Sequence, residues 1–102
     1  MPRPDEGIRL NPRAERDVDE IWDYSAGIWG VGTANAYVGG LRSTLSTIAA
    51  SPLMARERTE ITPPVRVYPY RSHLVIYRVD GDEIAVLRVF HSRRNWLREM
   101  GV

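Results

Sequence analysis

The residues of this chain that could do chemistry are concentrated in its last third. Arg88, His91, Arg93 and Arg94 lie close together in sequence, and Trp96 follows them directly. A histidine can act as an acid or a base near neutral pH, and arginines can hold a phosphate through paired hydrogen bonds. The cluster is therefore open to three interpretations: a reaction site, a binding surface or a solvated basic terminus.

Cleavage of RNA beside a 2′-hydroxyl is the reaction that such residues could catalyse. It needs a base for the hydroxyl, cations for the phosphate and an acid for the leaving oxygen. His91, with His73 in reserve, could be acid or base, and the candidate cationic donors are Arg66, Arg71, Arg88, Arg93 and Arg94. No lysine is present to serve as a general base, so His91, Arg88 and Arg71 are only weak ribonuclease candidates.

Alternation along the last strand argues against a joint site for Arg88 and His91. One face carries Val86, Arg88 and Phe90, and the other carries Leu87, Val89 and His91. The two side chains cannot enter one pocket unless the strand bulges near its end. Because an unpaired buried charge is costly, we expect Arg88 to be paired with Glu83, Asp82 or a helix carboxylate.

A β-hairpin positions this cluster. The runs 73–79 and 83–90 are rich in Val, Ile and Tyr and flank the turn Asp80-Gly81-Asp82. The second run is almost continuously apolar, which predicts a central strand covered on both faces. Two further strands are predicted: residues 65–70, where Pro69 indicates an interruption or an edge, and an edge strand at residues 8–10.

Two amphipathic helices precede the hairpin. The first begins at Asn11-Pro12, with Asn11 as the cap, and ends at Gly30-Val31-Gly32, while Thr33 caps a second helix that stops at Ser51-Pro52. The apolar face of the first helix comprises Ala14, Val18, Ile21, Trp22, Ser25, Ile28 and Trp29. Its carboxylates, Glu15, Asp17, Asp19, Glu20 and Asp23, are expected on a solvated face. Gly39-Gly40 indicates close approach of a neighbour. The first helix is the favoured neighbour, and another chain is the alternative.

The predicted fold is one α+β domain over residues 1–102. A helical hairpin packs on one face of a curved, mainly antiparallel sheet in the order β-α-α-β-β-β, followed by a short C-terminal helical tail. Residues 52–64 form an irregular loop. Trp96-Leu97 either folds back onto the sheet as this tail or leaves Trp96 exposed as an interface anchor.

Composition excludes several classes of function. The chain has no cysteine, which removes disulfides, thiolate nucleophiles and CxxC zinc sites, and no metal or other cofactor is expected. No apolar run is long enough for a membrane span, and the N-terminus lacks a signal-peptide core, so we expect a cytoplasmic location and no membrane partner. The net charge is only +1, too small to predict direct nucleic-acid specificity.

The chain resembles the ParE branch of the RelE/ParE toxin superfamily from Arg9 to about Leu97. The resemblance lies in AERDVDEIWDY in the first helix, AYVGGLRSTLSTIAASP in the second and HLVIYRVDGDEIAVLRVFHSRRNW at the end of the chain. It implies the toxin of a type II toxin–antitoxin pair that inhibits DNA gyrase without catalysis and is neutralised by a ParD-like antitoxin in a hetero-oligomeric complex.

The resemblance also leaves two alternatives. RelE-like relatives cleave messenger RNA with lysine, arginine and a C-terminal tyrosine, but no tyrosine follows Tyr77 here, so that acid position holds Trp96 or nothing. A degenerate member would bind its antitoxin without being toxic. Under each interpretation we expect the contacts with antitoxin or target to come from Trp29, Tyr37, Arg66, Arg71, His91, Arg93, Arg94 and Trp96.

Overall fold

The computed structural model describes residues 7–101. The elements are β1 (Ile8–Leu10), α1 (Pro12–Trp29), α2 (Val31–Ala50), β2 (Glu57–Arg58), β3 (Val65–Tyr70), β4 (His73–Asp80), β5 (Glu83–His91) and α3 (Trp96–Glu99). The strands form one sheet in the order β1-β5-β4-β3-β2. Only β1 and β5 are parallel, so the predicted helical hairpin on a mainly antiparallel sheet, with its helical tail, is confirmed. Within these residues no helix is long and apolar enough to cross a membrane.

Both faces of the sheet are covered. Residues of α1 and α2 form the larger apolar cluster with one face, where Leu41, Leu45 and Tyr77 are almost completely buried. Phe90 and Ile76 centre the cluster on the other face, where residues of the C-terminal tail pack against them. Strand β5 lies between β1 and β4 and contributes to both clusters, as its continuous apolar sequence predicts.

The corner between α1 and α2 is shorter than predicted. Gly30 alone connects the helices, and α2 begins at Val31 rather than after Gly32, so Thr33 lies inside the helix and does not cap it. Gly30 has φ 93°, a left-handed conformation that glycine adopts without steric cost. A single residue therefore reverses the chain. As a result, the apolar residues on both sides of Gly30 lie at the tip of the helical hairpin.

Two other predictions about the helices and loops are wrong. Asn11 precedes α1, but its side chain makes no capping hydrogen bond; its backbone N–H instead donates to the Val86 carbonyl at 2.9 Å. Residues 52–64 are not wholly irregular, because β2 pairs there with Val65 and Arg66. For Pro69, the edge alternative is confirmed and the interruption is not: β3 runs through Pro69, which lies beyond the end of β2 on the open edge of the sheet.

Gly40 faces the sheet and not α1, which corrects the expected neighbour of Gly39-Gly40. A Cβ at Gly40 would collide with the Tyr70 hydroxyl and lie 3.2 Å from its Cζ, whereas a Cβ at Gly39 would meet nothing within 4 Å. The Tyr70 hydroxyl donates a 2.8 Å hydrogen bond to the Tyr37 carbonyl. Gly40 thus makes room for the hydrogen bond that joins α2 to β3.

The two neighbouring glycines are expected to respond in opposite directions to alanine. Gly39→Ala should raise the free energy of unfolding by about 0.5–1 kcal/mol, because alanine has the higher helix propensity. Gly40→Ala should lower it by about 1–3 kcal/mol through overpacking against the buried Tyr70 ring. Denaturant unfolding measures both, and Tyr70→Phe combined with Gly40→Ala should recover part of the loss; equal effects at the two glycines would contradict this assignment.

A β-bulge changes the predicted alternation of β5. From the turn, pairing runs regularly to Tyr77 opposite Val86, but Ile76 then lies opposite Arg88, so Leu87 is the extra residue. The prediction that Arg88 shares a face with Val86 is therefore wrong: Val86 belongs to the helix-side cluster, while Arg88 lies opposite Ile76 and against the Phe90 ring, both of the other cluster. The bulge also brings His73 directly opposite His91, one position from where regular pairing would place it.

Candidate functional site

A groove lies between the helical hairpin and the ends of β4 and β5. Its larger part encloses about 420 Å³ and is lined by Tyr24, Ser25, Trp29, Thr33, Tyr37, Ser72, His73 and His91. A smaller part of about 260 Å³ shares Tyr24, Ser25, His73 and His91 and continues toward Asp17, Glu20 and Arg94. We call these residues together the groove. It contains four of the residues expected from sequence to make contacts: Trp29, Tyr37, His91 and Arg94.

A chain of polar rings forms one wall of the groove. The Tyr37 hydroxyl lies 2.7 Å from Nδ1 of His73, and the His73 ring packs edge-on against the His91 ring with centroids 5.3 Å apart. The backbone N–H of Arg93 donates to Nδ1 of His91 at 3.1 Å. Helix α2, the start of β4 and the end of β5 thus meet at these three side chains.

Burial controls the protonation of this wall. It lowers the pKa of His73 from 6.5 to about 4, with a further contribution from the charge of His91. Burial also raises the pKa of Tyr37, although the backbone amide and hydroxyl of Ser72 favour the phenolate. Near neutral pH, His73 is therefore a neutral imidazole and Tyr37 a protonated phenol.

Arg88 does not face the groove as a free cation. Its Nε and Nη2 donate to the two carboxylate oxygens of Asp17 at 2.7 and 3.1 Å, which raises the pKa of Arg88. One of those oxygens also accepts the Val89 backbone N–H at 2.9 Å. Asp17 is 4 % exposed, so its expected place on a solvated face is wrong, whereas the predicted pairing of Arg88 with a helix carboxylate is confirmed.

The remaining predicted site residues are dispersed. Arg66 donates to the Ala55 carbonyl beside β2, and exposed Arg71 occupies the β3–β4 turn with its guanidinium 5.8 Å from the Tyr70 ring centre. Arg93 is exposed, with its backbone N–H bonded to His91. Trp96 begins α3 and packs on the sheet face away from the helical hairpin, so its ring folds back as one of the two sequence interpretations proposed.

Several groove residues were not identified from sequence. Tyr24, Ser25, Thr33 and Ser72 come from elements whose mutual packing is not encoded in any local motif. His73 was considered only as a reserve acid or base. The Asp80-Gly81-Asp82 turn predicts that the strand of His73 pairs with the strand of His91. It does not predict the register, because the bulge shifts the pairing.

Exposed apolar side chains continue the groove onto the tip of the helical hairpin. Tyr24, Ile28, Trp29 and Val31 are each more than half exposed, and Tyr24 and Trp29 stack edge-on with ring centroids 6.3 Å apart. Ile28 and Trp29 belong to the predicted apolar face of α1, but neither side chain is buried within the chain. A contiguous exposed apolar surface beside a groove is typical of a protein-binding site.

Two of the side chains considered for catalysis are engaged by other side chains of the protein. The guanidinium of Arg88 is engaged by Asp17, and His73 is bonded to Tyr37. Among residues 7–101, no three histidine or carboxylate side chains are arranged to hold a metal ion. The fold and groove define a small α+β protein with a largely apolar groove between its helical hairpin and its sheet.

Comparison with known proteins identifies the family. Residues 8–96 match the family described as the ParE toxin of the type II toxin–antitoxin system parDE. Toxin ParE1 of Mycobacterium tuberculosis strain H37Rv is 39% identical over 85 residues, which is 82% of this chain and 87% of that protein. Toxin ParE1 of Caulobacter vibrioides is 37% identical over 93 residues, 91% of this chain and 96% of that protein. The chain belongs to the ParE toxin family.

A solved structure supports the fold independently. The chromosomal ParDE toxin–antitoxin system from P. aeruginosa contains a chain that superposes with a TM-score of 0.73, covering 87% of this chain and 98% of that one. The sequence identity is 21%, so this likeness concerns the fold.

Proposed function

We propose that this protein is a non-catalytic toxin that inhibits DNA gyrase and is silenced by a ParD-like antitoxin bound along the groove. The observation that carries the proposal is membership of the ParE toxin family over nearly the whole chain. The groove supports the antitoxin part of the proposal, because it joins a concave surface to exposed aromatic side chains.

The chemistry of the site favours inhibition by binding over RNA cleavage. A ribonuclease needs cations that are free to reach a phosphate, but Arg88 is held by Asp17 and Arg94 lies 2.6 Å from Glu99. Arg71 and Arg93 are exposed but do not line the groove. His73 is a weak base because its pKa is lowered to about 4. The chain has no lysine, and no tyrosine follows Tyr77. His91 is the one strong acid–base candidate that remains, and one such group is not a complete set.

Supercoiling by purified gyrase tests the proposed target. The toxin is expected to abolish supercoiling and to trap gyrase on cleaved DNA, and His91→Ala should retain this effect because His91 has no catalytic part in it. Mapping of transcript ends after induction provides the control. New transcript ends with unimpaired supercoiling would replace the proposal with a ribonuclease, and harmless strong expression would leave a binding module without toxicity.

Trp29 is expected to be a main contact for the antitoxin. Trp29→Ala should weaken binding of the co-encoded antitoxin at least about tenfold, because a large aromatic side chain at the centre of an interface contributes heavily to affinity. Leu53→Ala is the matched control, since Leu53 is as exposed as Trp29 (68 % against 61 %) but does not line the groove. Titration calorimetry measures both; equal losses, or no loss at Trp29, would place the antitoxin elsewhere.

A further inference from the structure

The larger part of the groove is lined by hydrogen-bonding side chains and by no carboxylate, while the two carboxylates of the smaller part differ in their contacts. Asp17 is bound by Arg88 and by the Val89 amide, and Glu20 has Arg13 at 3.7 Å. The other polar residues along the larger part are serine, threonine and tyrosine hydroxyls and the two histidines. The chemistry of the histidines therefore decides which ligand group fits.

The hydrogen bonds of the two imidazoles fix where their protons lie. Nδ1 of His91 accepts the Arg93 backbone N–H, so the hydrogen of the neutral ring is on Nε2. The Tyr37 oxygen lies only 2.7 Å from Nδ1 of His73, a separation more typical of an O–H donor than of an N–H donor, so the Tyr37 hydroxyl donates to Nδ1. His73 then also carries its hydrogen on Nε2. Each ring uses Nδ1 inside the protein and keeps an Nε2–H donor.

We propose that the His73–His91 pair is a carboxylate-recognition site for one aspartate or glutamate of the antitoxin segment that occupies the groove. Apolar side chains of the same segment would cover Trp29 and Tyr37. The inference rests on the proposed antitoxin-binding function of the groove and adds the chemistry of the contact. Neutral N–H donors suit a single carboxylate of a protein segment better than a nucleic-acid phosphate, whose affinity depends mainly on cations.

The tautomers can be tested on the free toxin without any partner. In long-range ¹H–¹⁵N NMR correlation spectra, the neutral form of each histidine should be the Nε2–H tautomer. In Tyr37→Phe, His73 should lose its defined tautomer while His91 keeps its own. An Nδ1–H tautomer at either histidine in the wild type would overturn the proposal.

Two substitutions at His91 separate its two nitrogens. His91→Asn keeps an acceptor near the position of Nδ1 for the Arg93 amide but has no donor near Nε2, whereas His91→Gln keeps a donor near Nε2. His91→Asn should weaken antitoxin binding about tenfold or more, the range for a hydrogen bond to a charged group, and His91→Gln should bind within about threefold of wild type. Thermal unfolding of both variants confirms that they remain folded.

Substitution of the antitoxin completes the test. Each aspartate or glutamate of the co-encoded antitoxin is changed to its amide, and one of them should show non-additive binding with His91→Asn. If Trp29→Ala weakens binding but no antitoxin carboxylate couples to His91, the carboxylate site is wrong and the groove proposal stands. If neither Trp29→Ala nor His91→Asn weakens binding, the antitoxin does not occupy the groove, and both proposals fail.

Discussion

Replacing Asp17 with alanine is expected to lower the free energy of unfolding by about 3–5 kcal/mol, the loss typical of a broken buried ion pair. The carboxylate accepts from the Arg88 guanidinium twice and from the Val89 backbone N–H once, and only 4 % of Asp17 is exposed. Alanine would leave a charge and an amide without partners between α1 and β5. For a chain of 102 residues such a loss is a large part of the total stability.

Two variants of α1 show whether the effect belongs to this contact. Asp19→Ala removes an exposed carboxylate two residues away and should change stability by less than about 0.5 kcal/mol. Asp17→Asn keeps an acceptor for the Val89 amide and should lose about 1.5–3 kcal/mol, less than alanine. Denaturant unfolding of the four proteins provides the comparison. A loss at Asp17→Ala no larger than at Asp19→Ala would show that the buried pair does not stabilise the fold.

Stability is expected to fall by about 2 kcal/mol between pH 6.5 and pH 4 because of His73 alone. In the folded protein the pKa of His73 is about 4, against 6.5 for the unfolded chain, owing to burial and then to His91. The unfolded state therefore binds more protons in this window, and acidification favours it. The contribution is complete above pH 6.5 and is lost by pH 4. Because the His73 ring is half exposed, solvent screens part of this effect. The expected loss of stability is therefore smaller than the full pKa shift would give.

His73→Asn isolates this contribution from the carboxylates, which titrate over the same range. Asparagine places an acceptor near the position of Nδ1 for the Tyr37 hydroxyl but does not titrate. The difference in the free energy of unfolding between wild type and variant is measured by denaturant unfolding from pH 4 to pH 8. It should be constant above pH 6.5 and should change below it, as the wild type loses stability relative to the variant. A difference that stays constant over the whole range would mean that His73 is not held neutral by the fold.

The architecture was largely predictable from local sequence signals. The Asp80-Gly81-Asp82 turn lies between two β-branched runs, and Pro12 marks the start of α1. Hydrophobic spacing in α2 predicts buried Val38, Leu41 and Leu45. These signals act over a few residues, so they do not depend on which elements finally pack together.

The details of the site were less predictable because they depend on long-range packing. An extra residue in β5 cannot be located from a run in which nearly every residue is apolar, so Leu87 and Arg88 were assigned by simple alternation. Local spacing predicts Asp17 on a solvated helix face, because its partner Arg88 lies 71 positions away in sequence. Gly40 was assigned to α1 because helical spacing does not reveal that Tyr70 approaches from the sheet.

The contact of Asp17 with Arg88 and Val89 also bears on the proposed binding of a partner in the groove. It fixes one wall, α1, to another, β5, and the Tyr70–Tyr37 hydrogen bond fixes α2 to β3. The toxin surface is thus preorganised, so most of the conformational entropy lost on association is expected to be lost by the partner. A segment that orders on this template should bind with a large negative heat-capacity change and an unfavourable entropy, while the toxin itself keeps the same backbone shape free and bound.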